Sequence, residues 1–151
     1  METKKAPPFT LNSIQGEPHS LSSILEQGPV LLAVFKISCP VCQLTMPFVE
    51  KMSSGSLPMV AISQDGPIAT RRFLDTYKVT MTTLLDREED GYPVSNALGI
   101  THVPSLFVVE TDGTISKAFD GFNKAEMEAA GARAGIAPFG PGDDVPSWKA
   151  G

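Results

Sequence analysis

Residues 29–48 read PVLLAVFKISCPVCQLTMPF and hold both cysteines of a 151-residue chain, Cys39 and Cys42. The stretch changes character midway. Val30 to Phe35 is a continuous apolar run, the pattern of a central strand covered on both faces of a sheet. From Pro40 the apolar residues Val41, Phe48, Val49 and Met52 fall near one helical face, so a helix is expected over 40–52. Pro47 lies inside it, where a kink is expected. Cys39 therefore stands where a buried strand hands over to a helix.

That seat has a chemical consequence. Thiolate, not thiol, is the reactive form of cysteine, and local electrostatics set its population. Unpaired backbone N–H groups and the positive end of the helix dipole favour the charged sulfur of Cys39. Cys42 lies almost one turn further in and is expected to be more buried. The two-residue spacing lets the sulfurs meet with little backbone movement. Cys39 is thus the natural attacker, and Cys42 the resolver that displaces a substrate from a mixed disulfide. Pro40 and Val41 form the active-site turn and add neither charge nor donor, so moderate thiolate stabilisation is expected. Lys36 and His102 are candidate modulators by charge. Their plainer readings are a solvated strand end for Lys36 and a loop residue at the rim of the site for His102.

Working outward, Pro7, Pro8 and Gly16 frame an extended start with Phe9 and Leu11 turned inward. Ser20 caps a short helix over 21–26, closed by Gly28. Residues 59–63 (MVAIS) read as a second buried strand. Asp65-Gly66-Pro67 opens a helix to Tyr77. A short strand over 83–85, an acidic turn and a short helix over 94–98 follow. Ser105–Glu110 and Thr114–Phe119 read as two strands joined by the Asp112-Gly113 turn. Asn123 with Glu126 makes a capping-box-like start for a last helix to Ala134. Strands alternating with helices, then a late hairpin, predict an α/β fold: a central mixed sheet flanked by helices. The domain is drawn at residues 1–137, with 138–151 as a Pro/Gly-rich, extended C-terminal tail.

Composition narrows the function. At 42% apolar residues the chain is too hydrophobic for general disorder. A net charge of -5 supplies no basic face for a nucleic-acid backbone. Val30–Phe35, the longest apolar run, is far too short to span a bilayer. METKKAPPFT lacks the apolar stretch of a signal peptide. The chain therefore reads as cytoplasmic, unless a leader preceded it and Met1 is not the natural start. No cofactor and no metal are expected: a structural zinc site wants four ligands, and although Cys39, Cys42 and His102 could converge near Pro104, His19 lies in the amino-terminal segment. Asp86, Glu88, Glu89 and Asp90 lack calcium-loop spacing and read as a solvated turn.

Downstream, Gly99-Ile100-Thr101-His102-Val103-Pro104 precedes a strand and an Asp-Gly hairpin. With the apolar strand, Cys39-Pro40-Val41-Cys42 and Pro47, this pattern resembles the thioredoxin superfamily over residues 7–134. It is most similar to the TlpA/ResA-like thiol–disulfide oxidoreductases and the neighbouring redoxin (AhpC/TSA) group. The resemblance implies a thioredoxin-like fold with an N-terminal extension and a helix–strand unit inserted between the cysteines and a cis-proline. It makes Pro104 that cis-proline, packed against the active-site disulfide, with Val103 before it. The neighbouring backbone would then present N–H and C=O groups to an extended substrate. Where the family carries a tryptophan before the first cysteine, this chain has Ser38. Where relatives place a proton-accepting acid, it has Ala33 and Thr45.

The implied activity is thiol–disulfide exchange on protein disulfides or dithiols, reset by an unidentified redox partner. Two other readings compete. A peroxiredoxin-type peroxidase would need a Thr or Ser three residues before its cysteine and an arginine at the sulfur; Lys36 occupies that position. A non-catalytic metal-binding module on the same fold would use a wider cysteine spacing.

Overall fold

The structure, a computed structural model, describes residues 4–151; the reading of the amino terminus at Met1 lies outside the described residues. The chain runs β1 (Lys4–Lys5), β2 (Thr10–Asn12), β3 (Pro18–Ser20), α1 (Leu21–Leu25), β4 (Val30–Phe35), α2 (Pro40–Met52), β5 (Met59–Ser63) and α3 (Pro67–Tyr77). It continues through β6 (Thr83–Leu85), α4 (Pro93–Ala97), β7 (Ser105–Val109), β8 (Thr114–Asp120), β9 (Phe122–Asn123), α5 (Lys124–Ala134) and β10 (Trp148–Lys149).

Six strands form one sheet in the order β1-β8-β7-β4-β5-β6. β4, β5 and β6 are parallel, as helical crossovers require, while β7 and β8 run antiparallel. Every residue of β4 is buried, and its two sides serve two cores. Leu31, Ala33 and Phe35 join Cys42, Met46, Val49 and Met52 of α2, Phe73 of α3 and Met127 of α5. Val30, Leu32 and Val34 join Leu11, Ile62, Leu84, Val94 and Leu98, with Ile24 of α1 packed on the outside. A strand covered on both faces has no polar side, which is why its sequence shows no alternation. The architecture is the expected thioredoxin-like mixed sheet flanked by helices, with β5, α3, β6 and α4 between the cysteines and Pro104.

Local signals decide the helix ends. The Ser20 hydroxyl accepts from the Ser23 N–H, and the Asn123 side chain accepts from the Glu126 N–H. Three features depart from the expectations drawn from sequence. β1 adds an edge strand and β2 with β3 forms a separate hairpin. Asp86 is fully buried rather than solvated. Its carboxylate accepts from the N–H groups of Val94 (3.0 Å) and Ser95 (2.7 Å) and from the Ser95 hydroxyl (2.6 Å). It therefore caps α4 from the end of β6, a role no local spacing announces. Finally, the tail is not free. Pro138 is buried. Phe139 sits 4.9 Å from Phe48 and 5.7 Å from Phe122, ring to ring. Packing thus continues past residue 137, and β10 pairs with β9.

One exposed pair ties α5 to the sheet. Arg133 donates to Glu110 at 2.7 and 2.6 Å, and Ser116 donates to the same carboxylate. These bonds, Arg133 first, pull the Glu110 carboxyl down to about 2 from its ordinary 4.5. A folded value below the unfolded one stabilises at pH above the unfolded value, and the stabilisation fades as pH falls through the folded one. The effect is small because both side chains are solvated. The difference in Tm between wild type and Glu110→Gln is expected to be widest above pH 4.5 and to close toward pH 2. A gap independent of pH would contradict this account.

Candidate active site

Cys39 is the N-cap of α2, with extended backbone at φ -88° and ψ 115°. Its sulfur accepts the backbone N–H of Cys42 at 3.2 Å, so it takes the place an aspartate or serine oxygen fills at other helix starts. The same sulfur lies 3.4 Å from the carbonyl oxygen of Val103, to which it donates. The Val103–Pro104 peptide is cis, as the resemblance implied. Two segments more than sixty positions apart are therefore joined at one atom. Cys39 is partly exposed; Cys42 is fully buried. Both are free thiols.

Burial pushes the Cys42 thiol far up its scale. A hydrogen bond with Cys39 and the charges of Cys39 and Asp65 push the same way, while a hydrogen bond with the Lys36 backbone pulls back. Cys42 holds its proton at neutral pH, sealed in the core beside a sulfur that solvent can reach. The pair is asymmetric by position: one sulfur is partly exposed and the other is buried.

The other candidate residues divide. Pro40 is exposed at the first position of α2, and Val41 is buried beneath it. Val103 and Pro104 lie at the sulfur. Lys36 turns away, its ammonium 5.9 Å from the centre of the Tyr92 ring. The exposed His102 ring meets the Thr101 hydroxyl at 3.0 Å, not a cysteine. Thr45 spends its hydroxyl on the Val41 carbonyl at 2.7 Å.

Asp65 is the group that sequence reasoning missed. It reads as the opening of α3, yet Gly66 is the N-cap there and no side chain caps it. The Asp65 carboxylate instead accepts the Ile37 N–H at 2.8 Å, across 28 positions. The Gln43 amide donates to the Ile37 carbonyl at 3.1 Å, so both backbone groups of Ile37 are fixed. The turn that delivers Cys39 is held on one side by an acid just past the end of the neighbouring strand β5 and on the other by its own helix. Only proximity in the sheet links Asp65 to this turn.

Fold and site together define a thioredoxin-like thiol–disulfide oxidoreductase: a partly exposed sulfur at a helix start meets the carbonyl that precedes a cis-proline, and a buried thiol lies one turn on. The AhpC/TSA family model matches residues 3–118, and the chain belongs to that family. Among curated relatives, the thiol-disulfide oxidoreductase ResA of Halalkalibacterium halodurans is 27% identical over 124 residues, 79% of this chain and 68% of the relative. The thioredoxin-like protein YneN of Bacillus subtilis is 27% identical over 135 residues, 84% of this chain and 76% of the relative. A secreted Mycobacterium tuberculosis disulfide oxidoreductase homologous to E. coli DsbE shares the fold, with a TM-score of 0.69 at 20% identity over 83% of this chain and 95% of that one. No helix among the described residues is long and apolar enough to cross a membrane.

Proposed function

We propose that the chain exchanges electrons with protein disulfides through Cys39 and Cys42, Cys39 attacking and Cys42 resolving. The observation that carries this is the unequal exposure of two thiols joined by the Cys42 N–H to Cys39 Sγ bond. The Cys39 thiolate attacks one sulfur of a substrate disulfide. That S–S bond breaks, the departing sulfur takes a proton, and a Cys39–substrate disulfide forms. Cys42 then gives up its proton and attacks Cys39 Sγ, releasing the second substrate sulfur as a thiol. Two electrons have passed to the substrate, leaving a Cys39–Cys42 disulfide that a partner dithiol must reduce. The same steps reversed oxidise a dithiol client. Redox potential sets the direction.

Val103 and Pro104 provide the backbone beside which a client strand would lie. Pro40 and Val41 shape the turn without adding charge. Asp65 positions that turn through Ile37. Lys36 and His102 act at most through long-range charge, given where their side chains point.

Insulin-disulfide reduction and peroxide consumption, measured side by side on the wild-type protein, test the reading. Fast insulin reduction with slow peroxide consumption is expected. The arginines of the chain favour that order: Arg87 pairs with Glu89, Arg133 with Glu110, and Arg71 and Arg72 lie exposed on α3. Rapid peroxide consumption with negligible insulin reduction would replace the proposal by the peroxidase reading.

A further inference from the structure

The backbone edge beside Cys39 already has an occupant. Beyond Phe139 the chain crosses the surface to Ser147, whose carbonyl accepts the Lys124 N–H at 3.0 Å. Trp148 and Lys149 then pair antiparallel with Asn123 and Phe122. Gly121 lies so close beneath them that a Cβ on it would collide with the Lys149 carbonyl oxygen. The Gly121 N–H in turn donates to the Pro104 carbonyl at 2.9 Å. The segment ends against Val103: a Cβ at Gly151 would strike the Val103 carbonyl oxygen, the atom that receives the Cys39 thiol. Backbone meets backbone at both places, and only glycine fits.

This segment is held lightly. Residues 147–151 are exposed, and Trp148 keeps 60% of its surface in solvent. A two-residue ribbon with so little apolar burial is marginal by itself. An extended polypeptide with a small residue facing Val103 would make equivalent backbone contacts.

We infer that residues 147–151 form an internal strap over the edge beside Val103, which an incoming polypeptide must displace to reach Cys39. This rests on the reading of that edge as the client-binding backbone. A strap of this kind lowers apparent affinity by the fraction of molecules in which it is open, and leaves the chemical step untouched.

The test uses the full chain and Gly151→Val, whose side chain cannot share space with the Val103 carbonyl. The probe is a fluorescently labelled, carboxymethylated insulin B chain, which has no thiol or disulfide to react. Its binding is read by anisotropy, alongside insulin reduction. Gly151→Val is expected to bind the probe several-fold more tightly and to reduce insulin with a KM lower by a similar factor and kcat unchanged. The pentapeptide Ser-Trp-Lys-Ala-Gly, added in trans, is expected to compete with the probe on the variant. Equal probe affinity in both proteins, or no binding by either, overturns the strap. Tighter binding by the variant with no insulin reduction by either protein leaves the strap standing and overturns the oxidoreductase reading.

Discussion

In Cys39→Ser protein, insulin reduction falls to the uncatalysed background. The reason lies in reach as much as in chemistry. A serine hydroxyl stays protonated at neutral pH and forms no bond to sulfur that a thiol could later displace. Cys42 cannot take over, because it is fully buried and burial keeps its proton in place. The serine oxygen can still cap α2, so the fold should survive the change. Iodoacetamide labelling separates loss of fold from loss of nucleophile. Reduced wild-type protein should take up one label, on Cys39, before any appears on Cys42. Cys39→Ser should take up none under the same conditions. Rapid labelling of Cys42 in either protein would show that the two sulfurs are not ranked as their exposure ranks them.

Cys42→Ser should do the opposite and accumulate. Cys39 still attacks, and the substrate then remains attached, because no second thiol stands behind it to break the mixed disulfide. Incubated with a disulfide-containing client, this variant should convert almost wholly to a covalent adduct, seen by intact mass and released by dithiothreitol. Turnover should be lost after the first event. The wild-type resolving step should also quicken as pH rises, since Cys42 must lose a proton that burial and the charge of Asp65 help it keep. A Cys42→Ser protein that reduces insulin at the wild-type rate would remove the resolving role.

Much of the fold and site is legible in the sequence because the relevant signals are local. The buried strand over 30–35 declares itself by unbroken apolarity. The helix over 40–52 declares itself by the spacing of its apolar residues. The cis bond at Pro104 is implied by the resemblance to the thioredoxin superfamily, not by the local residues alone. What escapes depends on contacts that no spacing encodes. Asp65 and Asp86 both look like turn acids. One fixes the Ile37 amide 28 positions away, the other caps a helix from the end of a strand. The C-terminal segment escapes for another reason. Its composition is that of an unstructured tail, and its docking relies on main-chain pairing and on the absence of side chains at Gly121 and Gly151. Side-chain patterns cannot report an interaction made by backbone alone.

The two borders of the main sheet bear on whether the fold can recruit further strands. β1, at one border, is two lysines long, and lysine there disfavours the docking of a further strand. β6, at the other, has three residues, and Ser13 bridges to it while the Ile14 N–H takes the Thr83 carbonyl. Among the described residues, neither border offers a long bare template for cross-β growth. The fold thus presents its cysteine pair at a helix tip while its sheet margins stay shut to amyloid-like recruitment.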